Sequence, residues 1–343
     1  MIYIRVDMNP VIATGHLMRC LSIAEAAAED GEEITIISAD DYPTEMVKAR
    51  GYNHIVLGTD WTKMNEEISI MKKIIVDNDI KVILVDSYQV TEEYLRELNT
   101  VTKVFYIDDL NQCKHFVTGL INYACYAEDM TYTVEGVKYF KGCEFAPLRK
   151  MFRKCDKRKA NDKPQKLMIM SGGTDPCDML GRTITVIRDN IPCKYAEITL
   201  ICGRYYTDID RLKTIVSAGG NEFEARINIL SSVDNMLDYL EEADVVISAG
   251  GTTMYEVCAV GVPTISFAIA DNQLRNVEWL DRHDIVPCAG DARIEGTEKH
   301  VLELLKRFDD VETVNEYSKR MQELVDGYGA VRVARLLIDY TNQ

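Results

Sequence analysis

A histidine at the start of a predicted helix is the residue with the clearest chemical potential in this sequence. His16 follows Thr14 and Gly15, just beyond the first predicted strand, Ile2 to Val6. The positive end of a helix dipole disfavours a charged imidazolium, and the neutral imidazole is the form that acts as a general base. We therefore predict a catalytic role for His16. The simpler alternative is a polar residue that begins the helix and fills the loop.

A glycine turn between a strand and a helix is the second chemical feature. It spans Ser248 to Thr253, after the apolar run Val245 to Ile247, and the helix that follows carries Glu256 in its first turn. Glycines let backbone N–H groups approach an anion, and the helix dipole favours negative charge at the same place. The Glu256 carboxylate can accept hydrogen bonds from two ribose hydroxyls. The pattern favours a nucleotide-sugar site over an ordinary tight turn.

Other residues of this predicted nucleotide site also lie in turns or helix starts that follow a strand. A second glycine turn, Ser171 to Asp175, follows a predicted strand at Leu167 to Met170. The predicted nucleotide contacts are Gly172, Gly173, Thr174, Gly250, Gly251, Thr252, Glu256, Asp271, Asn272 and Gln273. No D-x-D pair stands out as a diphosphate–metal site, so we expect no metal and no cofactor. Helix N-termini would carry the phosphate charge instead.

Polar side chains also stand at the ends of the predicted strands in the first half of the chain. They are Asp7, Asp86, Ser87, Tyr88, Asp108, Asp109 and Asn122. The carboxyl ends of parallel strands meet at one edge of a sheet, where ligands bind. We predict that Asp7 and Asn122 contact a sugar, although each acid taken alone is equally typical of a helix cap or loop. Asp7 and Asp86 are weaker candidates than His16 for the general base, because a carboxylate is a poor base at neutral pH.

The elements that must position these residues alternate between strand and helix along the chain. This alternation indicates βαβ units on parallel sheets, and 343 residues favour two domains. We predict an N-terminal domain at 1–152 with the catalytic and sugar site, and a C-terminal nucleotide-binding domain at 166–343. The polar, basic segment 153–165 between them is interpreted as a linker rather than a partner-binding patch.

Composition restricts the partners and the location. The net charge of −16 argues against binding to nucleic acid or to an anionic membrane surface. No run approaches the roughly 20 apolar residues that span a bilayer, and the N-terminus has no signal-peptide pattern. None of the ten cysteines forms a C-x-x-C pair, which is typical of buried reduced thiols. We expect a cytoplasmic protein whose partner is a nucleotide sugar, and the sequence leaves its oligomeric state open.

Several motifs, taken in order, resemble a known family. They are Arg5 to Asp7, Thr14 to Leu21, Tyr106 to Asp109, Ala146 to Arg149, Ser171 to Asp175, Ser248 to Glu256 and Asp271 to Gln273. Together they resemble the UDP-sugar hydrolases of pseudaminic acid biosynthesis, and spore-coat polysaccharide biosynthesis proteins share the N-terminal signature. The resemblance implies an α/β protein of the GT-B fold, with two Rossmann-like domains that face each other across a cleft.

The resemblance also implies a reaction. UDP-2,4-diacetamido-2,4,6-trideoxy-β-L-altropyranose would be hydrolysed to UDP and free sugar with inversion at the anomeric carbon, and His16 would activate the water. Glu256 would hold the ribose, the glycine turns would hold the nucleotide and diphosphate, and Arg149 and Tyr88 would contact substrate. The chain departs from the family at Ala13, usually glycine, and at 8–10, usually small polar residues. This loop borders the predicted sugar site, so the sugar stays open.

Alternative functions also stay open. A UDP-sugar glycosyltransferase of cell-surface or spore-coat polysaccharide synthesis would use the same fold with an acceptor in place of water. A non-catalytic nucleotide-sugar-binding protein would tolerate the loss of His16. A UDP-N-acetylglucosamine 2-epimerase shares the fold, but its characteristic arginine-containing N-terminal loop is not found here.

Overall fold

The chain divides into two compact units. Unit 1 comprises Met1–Arg153 and Gly327–Gln343, and unit 2 comprises Lys154–Asp326. The computed structural model describes residues 1–111, 114–159, 164–192, 194–218, 225–231, 233 and 235–342. Of the predicted linker 153–165, residues 160–163 lie outside the described residues. The range 166–343 predicted for the second domain differs from unit 2 at its end, because the last helix makes its contacts within unit 1.

Unit 1 is built on a seven-stranded parallel sheet with the strand order β3-β2-β1-β4-β5-β6-β7. Its strands are β1 (Ile2–Val6), β2 (Ile34–Ser38), β3 (Asn53–Val56), β4 (Val82–Asp86), β5 (Lys103–Ile107), β6 (Gly119–Asn122) and β7 (Lys138–Lys141). Its first helices are α1 (Gly15–Glu29), α2 (Thr44–Lys48), α3 (Ile68–Asp77) and α4 (Glu92–Asn99). Strands β1, β2 and β4 are buried at every position, as expected for apolar parallel strands covered on both faces.

Helix α1 carries the predicted catalytic histidine in its first turn. Leu17, Cys20, Leu21 and Ala24 recur at helical spacing and are buried, so this face of the helix packs into the core. Strands β1 and β4 are neighbours in the sheet although two strands and three α-helices separate them in sequence. Such a change in winding direction leaves a crevice at the carboxyl ends of the two strands. The first turn of α1 follows β1 at this crevice.

Unit 2 is built on a six-stranded parallel sheet with the order β10-β9-β8-β11-β12-β13. Its strands are β8 (Lys166–Met170), β9 (Glu197–Cys202), β10 (Arg226–Ser231), β11 (Val245–Ala249), β12 (Thr264–Ala268) and β13 (Cys288–Asp291). Its helices are α5 (Met179–Asn190), α6 (Ile209–Ser217), α7 (Met236–Glu242), α8 (Thr253–Val260), α9 (Asp271–Arg282), α10 (Thr297–Leu305) and α11 (Val311–Leu324). Strands β8 and β11 are adjacent, which repeats the arrangement of β1 and β4 in unit 1.

The last helix, α12 (Gly329–Thr341), packs against α1 in unit 1. Gly329 permits a close approach, because a Cβ atom there would lie 2.1 Å from the carbonyl oxygen of Ala146. Lys103 on β5 donates to the carbonyl of Tyr340 at 2.9 Å. Among the described residues, every helix is too short or too polar to cross a bilayer.

Candidate active site

The imidazole of His16 contacts the carboxylate of Asp86 at the carboxyl end of β4. The Nδ1 atom of His16 lies 2.7 Å from Oδ1 of Asp86, and both side chains are buried. A neutral imidazole that donates from Nδ1 to a carboxylate keeps its lone pair on Nε2. Nη2 of Arg19 also lies 3.0 Å from Nδ1, so the tautomer with the proton on Nδ1 and the basic lone pair on Nε2 is the one that donation to Asp86 requires.

Arg19 completes this cluster and was missed as a site residue by the sequence reasoning. Its Nε and Nη2 atoms each lie 2.5 Å from one oxygen of Asp86, and Nη1 donates to the hydroxyl of Tyr123 at 2.5 Å. Burial raises the pKa of Asp86, but the charge of Arg19 and the contact with His16 outweigh it and hold that pKa below its ordinary value. Asp86 is therefore an ionised acceptor for the Nδ1 proton. The three-residue spacing of His16 and Arg19 on α1 was the available signal.

Tyr88 stands beside the imidazole. Its ring meets that of His16 edge to face, with centroids 4.5 Å apart and an interplanar angle of 84°. The Tyr88 hydroxyl donates to Oδ2 of Asp109 at 3.0 Å, and Asp109 lies 3.6 Å from Nη1 of Arg19. These contacts fix an exposed phenol at the edge of the cluster, where the sequence predicts a substrate contact.

A small cavity of about 40 Å³ adjoins the histidine. It is lined by Asp7, Ile12, His16, Trp61, Asp86, Ser87, Tyr88 and Gln89. A cavity of this volume holds about one water molecule. The structure thus brings together His16, Asp7, Asp86 and Tyr88, which the sequence indicated, with Ile12, Trp61 and Gln89, which it did not.

Two further predicted sugar contacts lie apart from this cavity lining. Asn122 is fully buried, and its amide is engaged: Nδ2 donates to the hydroxyl of Tyr132 at 2.7 Å and Oδ1 accepts from the N–H of Ala124 at 2.9 Å. The guanidinium of Arg149 lies 5.3 Å from the ring centroid of Phe152. A substrate-binding role for either residue stays a prediction.

Both glycine turns of unit 2 follow adjacent strands, β8 and β11, at the carboxyl edge of the sheet. The side chain of the N-cap residue Thr252 makes no capping hydrogen bond to α8, which begins at Thr253 directly after the second turn and carries Glu256, half-buried, in its first turn. The start of α5 differs, since the Asp175 carboxylate accepts from the N–H groups of Met179 and Leu180 at 2.8 Å. In the part of the chain that the structure describes, the N–H groups at the start of α5 thus have a side-chain acceptor, and the side chain of the N-cap residue of α8 provides none.

Contacts from α9 hold the second glycine turn. Asn276 donates to the carbonyl of Gly250 at 3.1 Å, and Oε1 of Gln273 accepts from the N–H of Ile269 at 3.1 Å. A Cβ atom on Gly251 would lie 3.6 Å from Nε2 of Gln273, so Gln273 borders this turn. The other two members of the predicted triplet are exposed, and Asp271 pairs with Arg293 at 2.7 Å.

The loop after β9 supports the first glycine turn, which the sequence reasoning did not anticipate. A Cβ atom on Gly203 would lie 2.0 Å from the carbonyl oxygen of Gly172, and the N–H of Tyr205 donates to the carbonyl of Gly173 at 3.0 Å. Thr174, like both glycines, is exposed. In the described part of the chain, His, Cys, Asp and Glu side chains form no group of three or more that could hold a metal ion.

Comparison with known proteins assigns the fold. Residues 167–325 match the family model of the glycosyltransferase family 28 C-terminal domain. The solved structure of MurG from Acinetobacter baumannii superposes on 99% of this chain and 100% of its own, with a TM-score of 0.72 and 12% sequence identity. The chain has the GT-B fold. The predicted fold class is confirmed.

Three curated relatives match more distantly in sequence. An uncharacterized protein of Methanocaldococcus jannaschii is 23% identical over 277 residues, 76% of this chain and 54% of its own. The UDP-N-acetylglucosamine–N-acetylmuramyl-(pentapeptide) pyrophosphoryl-undecaprenol N-acetylglucosamine transferase of Bacillus pumilus is 23% identical over 189 residues, 52% of this chain and 50% of its own. The spore coat polysaccharide biosynthesis protein SpsG of Bacillus subtilis is 20% identical over 178 residues, 52% of this chain and 51% of its own.

The chain spans about half the length of the curated relatives it matches. Together with the family 28 match, these relatives support a GT-B protein of glycosyltransferase-like type, which is the coarser part of the predicted family. In this GT-B chain the family 28 match covers the two glycine turns and Glu256. The His16 cluster lies outside the matched residues.

Proposed function

We propose that this GT-B chain transfers a glycosyl group from a UDP-sugar to a hydroxyl nucleophile, with His16 as the general base. The contact between His16 and Asp86 carries the proposal. An ionised carboxylate holds the Nδ1 proton, so Nε2 is free to accept a proton in the reaction. The cluster lies at the crevice between β1 and β4, where open α/β sheets bind ligands.

The chemistry follows from the roles of these side chains. As the nucleophilic oxygen attacks the anomeric carbon, its proton moves to Nε2 of His16, and the bond to UDP breaks with its electron pair on the phosphate oxygen. Asp86 stabilises the imidazolium that forms, and Arg19 keeps Asp86 ionised. A single displacement of this kind inverts the configuration at the anomeric carbon.

The proposal assigns UDP to unit 2. The family 28 match and the UDP-sugar in the name of the Bacillus pumilus relative support a UDP donor. The start of α8 would hold the diphosphate, and Glu256 would accept from the ribose hydroxyls. Gln273, which borders the second glycine turn, would complete this site.

Water is the second candidate for the nucleophile, and the volume of the cavity favours it. About 40 Å³ accommodates one water, whereas the attacking hydroxyl of a larger acceptor brings its carbon skeleton with it. In this form of the proposal the chain is a UDP-sugar hydrolase. The resemblance in the motifs extends it to a UDP-linked diacetamido-trideoxy sugar in pseudaminic acid biosynthesis, independent of metal.

One assay separates these functions. The purified protein is incubated with a panel of UDP-sugars, including UDP-N-acetylglucosamine and UDP-linked diacetamido-trideoxy sugars, with and without acceptor alcohols, and UDP release is measured. Release only in the presence of an acceptor supports the transferase. Release without an acceptor supports the hydrolase. Binding of UDP without release from any donor under either condition would leave a binding protein and overturn the catalytic proposal.

A further inference from the structure

We infer that Asp7 is a second hydrogen-bond acceptor for the attacking oxygen, and that the pair His16 and Asp7 selects water as the nucleophile. This inference rests on the proposed function, because it concerns the same cavity. It gives Asp7 a role on the nucleophile rather than on the sugar hydroxyls for which the sequence proposed it.

A buried network of charged side chains contacts Asp7 and holds it in place. Arg5 and Glu67 are both fully buried, and Nε and Nη2 of Arg5 each donate to one oxygen of Glu67 at 2.9 Å. The hydroxyl of Tyr94 also donates to Glu67, at 2.8 Å. The remaining nitrogen of Arg5, Nη1, lies 2.7 Å from Oδ1 of Asp7. One guanidinium thus contacts two carboxylates.

The two oxygens of Asp7 have different surroundings. Oδ1 faces Arg5 and also accepts from the N–H of Ala39 at 2.8 Å. Within the described residues, Oδ2 has no hydrogen-bond partner although Asp7 is only 1% exposed. Buried carboxylate oxygens are almost always satisfied, because leaving one without a donor is costly. Asp7 lines the same small cavity as His16, and the proposal assigns the missing donor to a ligand in that cavity.

The number of donors required identifies that ligand. In the tautomer that donates from Nδ1 to Asp86, Nε2 of His16 accepts a hydrogen bond, and the ionised Oδ2 of Asp7 can also only accept one. A water molecule has two O–H donors and can satisfy both atoms. The hydroxyl of an alcohol acceptor has one. The cavity volume of about 40 Å³ agrees with a single water.

The reaction step balances with Asp7 unchanged. The water oxygen bonds to the anomeric carbon, one of its protons moves to Nε2 of His16, and UDP leaves with the electron pair of the broken bond. The other O–H stays on the product sugar and remains donated to Asp7 throughout. Asp7 therefore orients the lone pair of the water and gains no proton, so its loss lowers kcat without weakening UDP binding in unit 2.

Asp7→Asn tests this role with little change in shape. The asparagine oxygen can still accept from Ala39, while an NH₂ donor replaces the acceptor Oδ2. We expect acceptor-free UDP release to fall about 100-fold in kcat, the order expected when one positioned polar contact to the reacting atoms is lost. The Kd for UDP should stay within twofold. Asp41→Asn, an exposed aspartate on the neighbouring loop, is the matched control and should react at the wild-type rate.

If Asp7→Asn does not fold, a measurement on the wild-type protein tests whether the cavity selects water as the nucleophile. With methanol added at molar concentration, water and a one-donor nucleophile compete for the same site. We expect free sugar and no methyl glycoside by mass spectrometry. Methyl glycoside formed in proportion to the methanol would overturn the selection of water.

The remaining outcomes separate this inference from the proposed function. Full acceptor-free activity in Asp7→Asn, with His16→Asn inactive, overturns the role of Asp7 and leaves the proposed function intact. Release of UDP only with an acceptor alcohol also overturns the inference and supports the transferase. An active His16→Asn variant refutes the proposed function itself.

Discussion

His16 Nδ1 lies 2.7 Å from Oδ1 of Asp86, and the register of the first sheet brings these residues together. Val6, the last residue of β1, pairs with Asp86, the last residue of β4. The loop that leaves β1 leads into α1, whose first turn carries His16. Two residues 70 positions apart thereby meet at the crevice of the sheet, and the contact orients the imidazole of a histidine at the start of a helix.

The first prediction concerns His16→Asn. Loss of a positioned general base costs about 10²–10⁴-fold in rate, so turnover of a responsive UDP-sugar should fall by that factor. The affinity for UDP should not change, because unit 2 is proposed to bind it. His283→Asn is the control, because His283 is exposed and directly follows the last residue of α9. A near wild-type rate in His16→Asn would show that another group is the base.

The second prediction concerns Asp86→Asn, which removes one partner of a buried ion pair and leaves the charge of Arg19 uncompensated. Breaking such a pair costs about 3–5 kcal/mol of stability. Turnover should also fall, because the imidazole of His16 loses the carboxylate that orients it. Asp79→Asn, at an exposed aspartate, should be neutral. Urea denaturation gives the free energies of unfolding, and equal values for the two variants would contradict the role of this pair.

The lowered pKa of Asp86 also predicts how the free energy of unfolding changes with pH in the wild type and in Asp86→Asn. The folded pKa of Asp86 is lowered, so its stabilising contribution is present above the unfolded value of about 3.9 and is lost as the pH falls below it. Between pH 5 and 3 the wild-type free energy of unfolding should therefore fall more steeply than that of Asp86→Asn. Parallel slopes would mean that Asp86 is not held ionised by its neighbours.

The third prediction concerns Glu256→Ala. Removal of a charged hydrogen-bond acceptor costs about 1.5–3 kcal/mol, which corresponds to roughly tenfold to hundredfold weaker binding of UDP. Calorimetry measures the Kd, and Glu278→Ala on the exposed side of α9 is the control. Unchanged affinity in a folded Glu256→Ala protein would remove Glu256 from the site.

The fourth prediction uses neighbouring glycines of the second turn. A Cβ atom on Gly250 would lie 2.2 Å from Cγ1 of Val277, so Gly250→Ala should destabilise the fold by about 1–3 kcal/mol. On Gly251 the nearest atom lies 3.6 Å away, an ordinary contact. Gly251→Ala should therefore fold normally and bind UDP more weakly, because the methyl occupies space that the phosphates approach. Wild-type affinity in Gly251→Ala would count against the diphosphate position.

The sequence predicted the features that depend on local patterns. The alternation of strand and helix, the glycine turns and the position of His16 on α1 all follow from residues close together in the chain. The contact of His16 with Asp86 depends on strand register, which one sequence does not specify. A charged residue is ordinarily exposed, and the burial of Arg19 is explained by its contacts with Asp86, Tyr123 and Asp109, which the sequence does not specify.

Two groups that the sequence predicts to bind a ligand have hydrogen-bond partners within the protein. Asn122 was predicted from its position at the end of a strand, but Tyr132, ten residues further on, accepts its N–H. The start of α5 was expected to receive phosphate, but Asp175 accepts from its N–H groups. The second case does not follow the ordinary N-cap pattern, because Asp178 holds the N-cap position without a capping hydrogen bond and Asp175 caps from three residues earlier. The first required the path of the chain after β6.

The last prediction concerns Ala13, where the resemblance to the hydrolases calls for glycine. Its φ is 57°, in the left-handed region that costs an L-residue about 1–2 kcal/mol and costs glycine little. Asn9 stabilises this loop by accepting from the N–H groups of Val11 and Ile12 at 2.9 and 3.1 Å, and Ile12 lines the cavity of His16.

Ala13→Gly relieves the strain but loses part of the gain to the greater entropy of the unfolded chain. We expect a net stabilisation of about 0.5–1 kcal/mol in urea denaturation. Ala28→Gly within α1, where glycine costs about 1 kcal/mol, should change stability in the opposite direction. Destabilisation of similar size in both variants would mean that Ala13 does not adopt the left-handed conformation in solution.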